Sequence, residues 1–350
     1  MKFSLAGLAL FTSYAAAFWR TSPPKGAVVV DQSGRHSDIT TVQGGVDALS
    51  TDEEGLQSLF IYPGTYQEQV FISERAANLS IYGYTWDKFS YHLNAVTITQ
   101  NLSQEQVPHN DLTATVRAHS SNFKMYNLNL ENTYGEGSQA LALSAQATNQ
   151  GYYGVGLFGY QDTLLANEGR EIYAKGKITG ATDFIFGQRS RAWLEATPLP
   201  NLTRSSTDLT CLQSMNIRVT DDGYITANGR DDAENESYYV ISKSSITGVN
   251  SDISTYLGRP WRTFSRVVVQ YTYLGSVIEP SGWSIWNPGD ERTGNVTYAE
   301  YGNYGPSSVQ AVGEGARASF SEQLEEPVTK EDLFGKGFES EWWVDMDYLH

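Results

Sequence analysis

Two acidic segments, Gly159-Tyr160-Gln161-Asp162-Thr163-Leu164 and Asp183-Phe184-Ile185-Phe186-Gly187, place their aspartates 21 residues apart. A chain wound into stacked coils of roughly 20 to 30 residues would spend one full coil on that interval. Asp162 and Asp183 would then sit on adjacent parallel strands, about 4.8 Å apart along the sheet. Gln139, in Ser138-Gln139-Ala140-Leu141, precedes Gln161 by 22 residues, so two amides would stack beside two acids.

The rest of the chain supports a coiled architecture. Short runs rich in Val, Ile, Tyr and Phe, at 58–62, 79–82, 96–99, 113–117, 123–130, 152–158 and 171–178, are broken by Gly and Asn. Few helical periods intervene. Met125-Tyr126-Asn127, Tyr152-Tyr153-Gly154 and Ile172-Tyr173-Ala174 can be laid under one another, with tyrosines 27 and 20 residues apart. Later runs at 223–227, 238–242 and 266–270 continue the series. We therefore expect an all-β fold, a parallel β-helix, with short terminal helices as caps. One cap is expected at 40–49, where Val42, Val46 and Leu49 share a helical face. The acidic end from about Ser319 to Trp342-Trp343 is expected to pack along the side.

Residues 1–17 have the form of a secretory signal: Lys2, an apolar run, then Ala15-Ala16-Ala17. Ser13 and Tyr14 interrupt the run before the roughly 18 apolar residues that a membrane span needs. The expected mature region is 18–350, one domain, secreted and unattached to membrane. Sequons at Asn78, Asn101, Asn201, Asn235 and Asn295 agree with a eukaryotic secretory route. Cys211 is the sole cysteine, so no disulfide forms within the chain and the core alone must hold the fold. The formal charge of −16 becomes −17 once Lys2 is removed, which argues against nucleic acid as a partner.

Several familiar sites are excluded. Gly154-Val155-Gly156-Leu157-Phe158-Gly159 matches G-x-G-x-x-G, but no amphipathic helix follows, as dinucleotide binding requires. There is no G-x-S-x-G elbow and no H-E-x-x-H. Asp221-Asp222 and Asp231-Asp232 flank residues 223–230 and read as turn residues rather than as a calcium site or the acid pair of a polygalacturonase.

A close carboxyl pair divides its labour, because the charge on one raises the pKa of the other. One becomes a nucleophile and the other an acid. Arg259, in Leu257-Gly258-Arg259-Pro260-Trp261, is the candidate cation that decides which ionises. The amides of Gln139 and Gln161 can hold an oxyanion without adding charge; losing one such donor costs on the order of 10² to 10³ in rate.

With these motifs, together with Gly64-Thr65-Tyr66-Gln67-Glu68, the chain resembles the pectin methylesterase (pectinesterase) family of carbohydrate esterases, its fungal branch in particular. The likeness spans about residues 28–310, in the family's order and spacing. It implies a right-handed parallel β-helix whose cleft binds methyl-esterified homogalacturonan. Asp183 would attack the C6 methyl ester. Asp162 would protonate departing methanol and then serve as base, Gln139 and Gln161 would hold the oxyanion, and Arg259 would fix Asp183. Trp261, Trp283 and Phe186, with Arg259, would contact the sugar. No metal or organic cofactor is implied, and a monomer is expected. Plant members often carry Tyr where this chain has Leu165. The competing readings are another pectin-active β-helix, a lyase or polygalacturonase, and a wall-binding protein without turnover.

Overall fold

Apolar β-branched and aromatic residues recur once per coil, so each coil can bury them only against its neighbours. The computed structural model describes residues 18–195 and 215–349, and in it the strands stack in parallel. The expected secretory signal at residues 1–17, Cys211 and Asn201 lie outside the described residues. An 11-stranded sheet forms one side, running from Val28–Val30 to Ser321–Gln323. A 13-stranded sheet supplies two further sides. They join because Lys177–Gly187 and Asn216–Asn228 bend through the corner and pair on both sides of it. The fold is thus a three-sided parallel β-helix.

The corners explain where strand readings from sequence run together. Residues 123–130, 152–158 and 171–178 each hold parts of two strands, separated by a two-residue corner whose first residue takes the left-handed conformation: Asn127 (φ 54°), Gly154 (φ 63°) and Lys175 (φ 53°). Asn and Gly at such sites are ordinary, whereas Lys gives no warning. Gly154 is therefore a corner residue of the coil, in accord with the exclusion of a nucleotide loop. The run expected at 113–117 starts later, because Asn110–Thr113 forms a 3-10 turn and the strand is Val116–Ala118.

One register needs correction. Tyr152 pairs with Tyr173, not with Ile172, while Tyr126 pairs with Tyr153. The coil interval there is 21 residues, and a slip of one would turn every side chain to the other face. In the observed register the Tyr152 and Tyr173 rings stack inside the helix at 4.9 Å. Tyr126 and Tyr153 stack on the outside at 5.1 Å.

The expected caps are present. Helix Val42–Asp47 is capped by Thr41, whose side chain accepts from Gly44 N, and it buries Val42 and Val46 over the first coil. The C-terminal segment covers the outer face of the 11-stranded sheet, where Phe334, Phe338, Trp343 and Tyr348 bury Tyr153, Trp193 and Val240. Polar ties fix its course: the Tyr153 hydroxyl donates to Trp343 O (2.9 Å), and Lys330 pairs with the fully buried Glu195. No helix among the described residues is long and apolar enough to cross a membrane.

Candidate active site

The site is built on one corner, repeated in two successive coils. Gly159-Tyr160-Gln161-Asp162-Thr163 and Gly180-Ala181-Thr182-Asp183-Phe184 are the same turn, 21 residues apart. Each glycine admits close approach of the side chain four residues on: a Cβ on Gly159 would lie 2.7 Å from Thr163 Oγ1, and one on Gly180 would lie 2.3 Å from Phe184 Cβ. Each aspartate then takes a positive φ, 62° at Asp162 and 50° at Asp183. Asp is among the few residues with a local tolerance for that region.

The backbone registers the two turns. Gln161 bridges to Thr182, Asp162 N donates to Thr182 O at 3.1 Å, and Leu164 pairs with Ile185. Asp162 therefore stands directly over Asp183. The two carboxyls are nearly covered, 6% and 7% exposed.

Arg259 reaches Asp183 with both prongs, Nε to Oδ1 at 2.9 Å and Nη2 to Oδ2 at 2.6 Å. Its guanidinium lies between two rings, 4.0 Å from the centre of Tyr224 and 4.3 Å from that of Trp286. Cation–π contact on both faces leaves the fork little freedom to leave the carboxylate. Among the described residues Asp162 has no ion-pair partner of its own. Its Oδ2 accepts from Asn110 Nδ2 at 3.2 Å.

The environments push the two acids apart. Burial raises the Asp162 pKa well above the ordinary carboxylate range, and the charge on Asp183 raises it further, against weaker opposition from Arg259 and Asn110. Burial also raises Asp183, but there the hydrogen bonds and charge of Arg259 work against it. The shared proton belongs on Asp162 and the charge on Asp183. Arg259 is itself held above its usual value, because Asp183 outweighs the effect of burial.

Gln139 and Gln161 flank the pair on consecutive coils, joined by a hydrogen bond from Ala140 N to Gln161 O of 3.2 Å. Both side chains are half-buried, and neither amide is hydrogen-bonded to another described residue. The two amides together carry four N–H donors not engaged within the described residues.

The expected aromatic contacts are sorted differently. Trp261 is half-exposed at the rim, 5.9 Å from Phe186. Phe186 is only 3% exposed and packs with Leu165, Leu141 and Ala227 beneath it. It supports Trp261 rather than facing the cleft, and Leu165 belongs to the same buried group. Trp283 must be corrected: it is 1% exposed and stacks on Tyr298 at 4.4 Å inside the core, where no sugar reaches it. The residues the sequence reading missed are Tyr224, Trp286 and Asn110. Trp286 lies three positions beyond Trp283, a spacing that turns one indole inward and the next toward the surface.

Asp221 accepts from the Tyr160 hydroxyl at 2.9 Å, and Asp232 caps its own turn through Glu234 N and Asn235 N. Asp231 and Asp232 are thus the turn residues expected, whereas Asp221 and Asp222, though exposed, lie within the strand Asn216–Asn228 rather than in a turn. Among the described residues no group of three or more His, Cys, Asp or Glu is arranged to hold a metal ion.

Comparison with known proteins decides the family. The Pectinesterase family pattern matches residues 27–318. The chain belongs to the pectinesterase family. It is 43% identical to a pectinesterase of Aspergillus aculeatus and 41% identical to one of Aspergillus niger, each alignment covering 99% of both chains. The crystal structure of a pectin methylesterase from Aspergillus niger superposes with a TM-score of 0.79 at 33% identity, covering 94% of this chain and all of that one. This pectinesterase-family fold is thus the expected parallel β-helix, and the motifs at 159–164, 183–187 and 257–261 meet in one site.

Proposed function

We propose that the protein is a secreted pectin methylesterase that hydrolyses C6 methyl esters of homogalacturonan, releasing methanol and pectate. The observation that carries this reading is the stacked carboxyl pair, one member gripped by Arg259 and the other without an ion-pair partner among the described residues. Family membership and near full-length similarity to fungal pectinesterases supply the substrate class.

Asp183, ionised by Arg259, attacks the ester carbonyl carbon, and its carbonyl oxygen becomes an oxyanion. The free amides of Gln139 and Gln161 donate to that oxygen. Collapse re-forms the carbonyl and breaks the bond to the methoxy oxygen, which takes the proton from Asp162 and leaves as methanol. The acyl group remains on Asp183 as an anhydride. Asp162, now a carboxylate, accepts a proton from water as that water attacks the galacturonoyl carbon. Cleavage of the anhydride returns Asp183 as carboxylate and Asp162 as acid. Trp261 offers a ring face on which a sugar can stack, while half-buried Trp286, its ring already against Arg259 and Arg292, can meet the sugar only with what remains exposed. The enzyme acts as a monomer, exported after loss of residues 1–17 and glycosylated at exposed sequons such as Asn101 and Asn295.

The test is methanol release from highly methylated pectin by wild type and by Asp183→Asn, with absorbance followed for unsaturated lyase product. Methanol from wild type only, with the variant folded and no unsaturated product, is expected. A folded wild type that yields no methanol refutes the esterase.

A further inference from the structure

Asn110 lies outside the stacked turns, and the reaction scheme above assigns it nothing. It opens the 3-10 turn Asn110–Thr113, which brings its side chain to Asp162 from a preceding coil. That turn is firmly tied. Thr113 Oγ1 donates to Asn110 O (2.8 Å) and accepts from Leu141 N (3.0 Å), while Asn132 Nδ2 donates to Thr113 O (3.0 Å). The next residue, Asp111, is held by Arg117 through two hydrogen bonds and by Ser144. Asn110 is thus delivered to Asp162 by a rigid support that also carries the coil of Gln139.

Its side chain contributes little to that support. The Nδ2 group donates to Asp162 Oδ2, and the buried Oδ1 has no partner at all among the described residues. A side chain placed for folding would have its buried acceptor satisfied.

We propose that Asn110 is a positioning residue for Asp162, occupying Oδ2 so that the transferable proton resides on Oδ1. An N–H donor on Oδ2 favours the carbonyl form of that oxygen, the stronger acceptor, and so favours the hydrogen on Oδ1. After the proton has gone to methanol, the same donor stabilises the new carboxylate until water is deprotonated. One contact thereby serves both halves of the cycle. The inference rests on the esterase reading given above.

The experiment compares wild type, Asn110→Leu and Asn110→Ser in methanol release against pH, with thermal unfolding alongside. Leu keeps the shape without the donor; Ser keeps a polar residue at this partly exposed position but is too short to reach. Both should lose kcat at least about tenfold with KM changed less than about twofold. The basic limb of kcat/KM should move up by about one pH unit, since a hydrogen bond favouring the ionised form is gone. A limb that stays in place, an unchanged kcat, or a loss confined to KM would overturn the assignment. Carboxyl ¹³C titration of Asp162 gives a readout without turnover, and an unshifted midpoint in Asn110→Leu would also overturn it. Absence of methanol from wild type would instead remove the esterase reading itself.

Discussion

Asp162 and Asp183 occupy the same corner of consecutive coils, both with left-handed backbone, so the chain presents two nearly buried carboxyls one above the other. Among the described residues only Asp183 is ion-paired, to Arg259. Asp183→Asn removes the charge that helps raise Asp162, so the Asp162 carboxyl should titrate lower in that variant, while burial still holds it above the ordinary range. Carboxyl ¹³C NMR measures both midpoints. Identical midpoints would mean that the two groups are not coupled.

Arg259→Ala strands a carboxylate that is 10% exposed along its side chain. Removing one partner of a buried pair costs about 3–5 kcal/mol of stability. The nucleophile also loses its bias toward ionisation, so the acid limb of activity should rise in pH and kcat should fall on the order of 10² or more. Arg259→Lys retains charge but neither the fork nor the stacking between Tyr224 and Trp286, and should recover only part. A kcat within a few-fold of wild type for Ala, read by methanol release, would show that Asp183 ionises unaided.

The two tryptophans of residues 283–286 should separate cleanly. Trp283→Ala opens a cavity beside Tyr298 and is expected to cost about 3–5 kcal/mol in denaturant unfolding while leaving KM unchanged. Trp286→Ala removes one wall of the Arg259 slot and a rim ring, so KM should rise and kcat fall with little change in unfolding midpoint. A raised KM in folded Trp283→Ala would contradict its place in the core.

Glu171 is fully buried in the interior of the β-helix, accepting from the Tyr173 hydroxyl at 2.6 Å, with no cation against it among the described residues. Burial pushes its pKa up to about 8, only partly opposed by hydrogen bonds from Tyr173 and Ser190. Since the folded value lies above the unfolded one, the protonated group stabilises the fold below the ordinary carboxylate range. That contribution declines as the pH climbs and is gone above about 8. Glu171→Gln should flatten the fall in unfolding free energy across that window. Parallel curves for wild type and variant would sink the prediction.

Much of this architecture is legible in the sequence, for a definite reason. A stacked helix converts sequence interval into spatial neighbour, so the 21-residue offset of Asp162 and Asp183 and the periodic apolar strands determined the architecture and the acid pair. The helix at 42–47 and the side-packed C-terminal segment followed from amphipathic spacing and apolar content. Intervals fail where a corner residue is inserted or omitted, which is how Tyr173 came to be set one place out of register. Contacts between distant coils have no interval at all. The slot of Tyr224 and Trp286 around Arg259, the inward turn of Trp283, the burial of Phe186 and the reach of Asn110 to Asp162 were decided only by the tertiary packing, because side-chain direction at a corner depends on backbone φ and on what the neighbouring coil leaves room for.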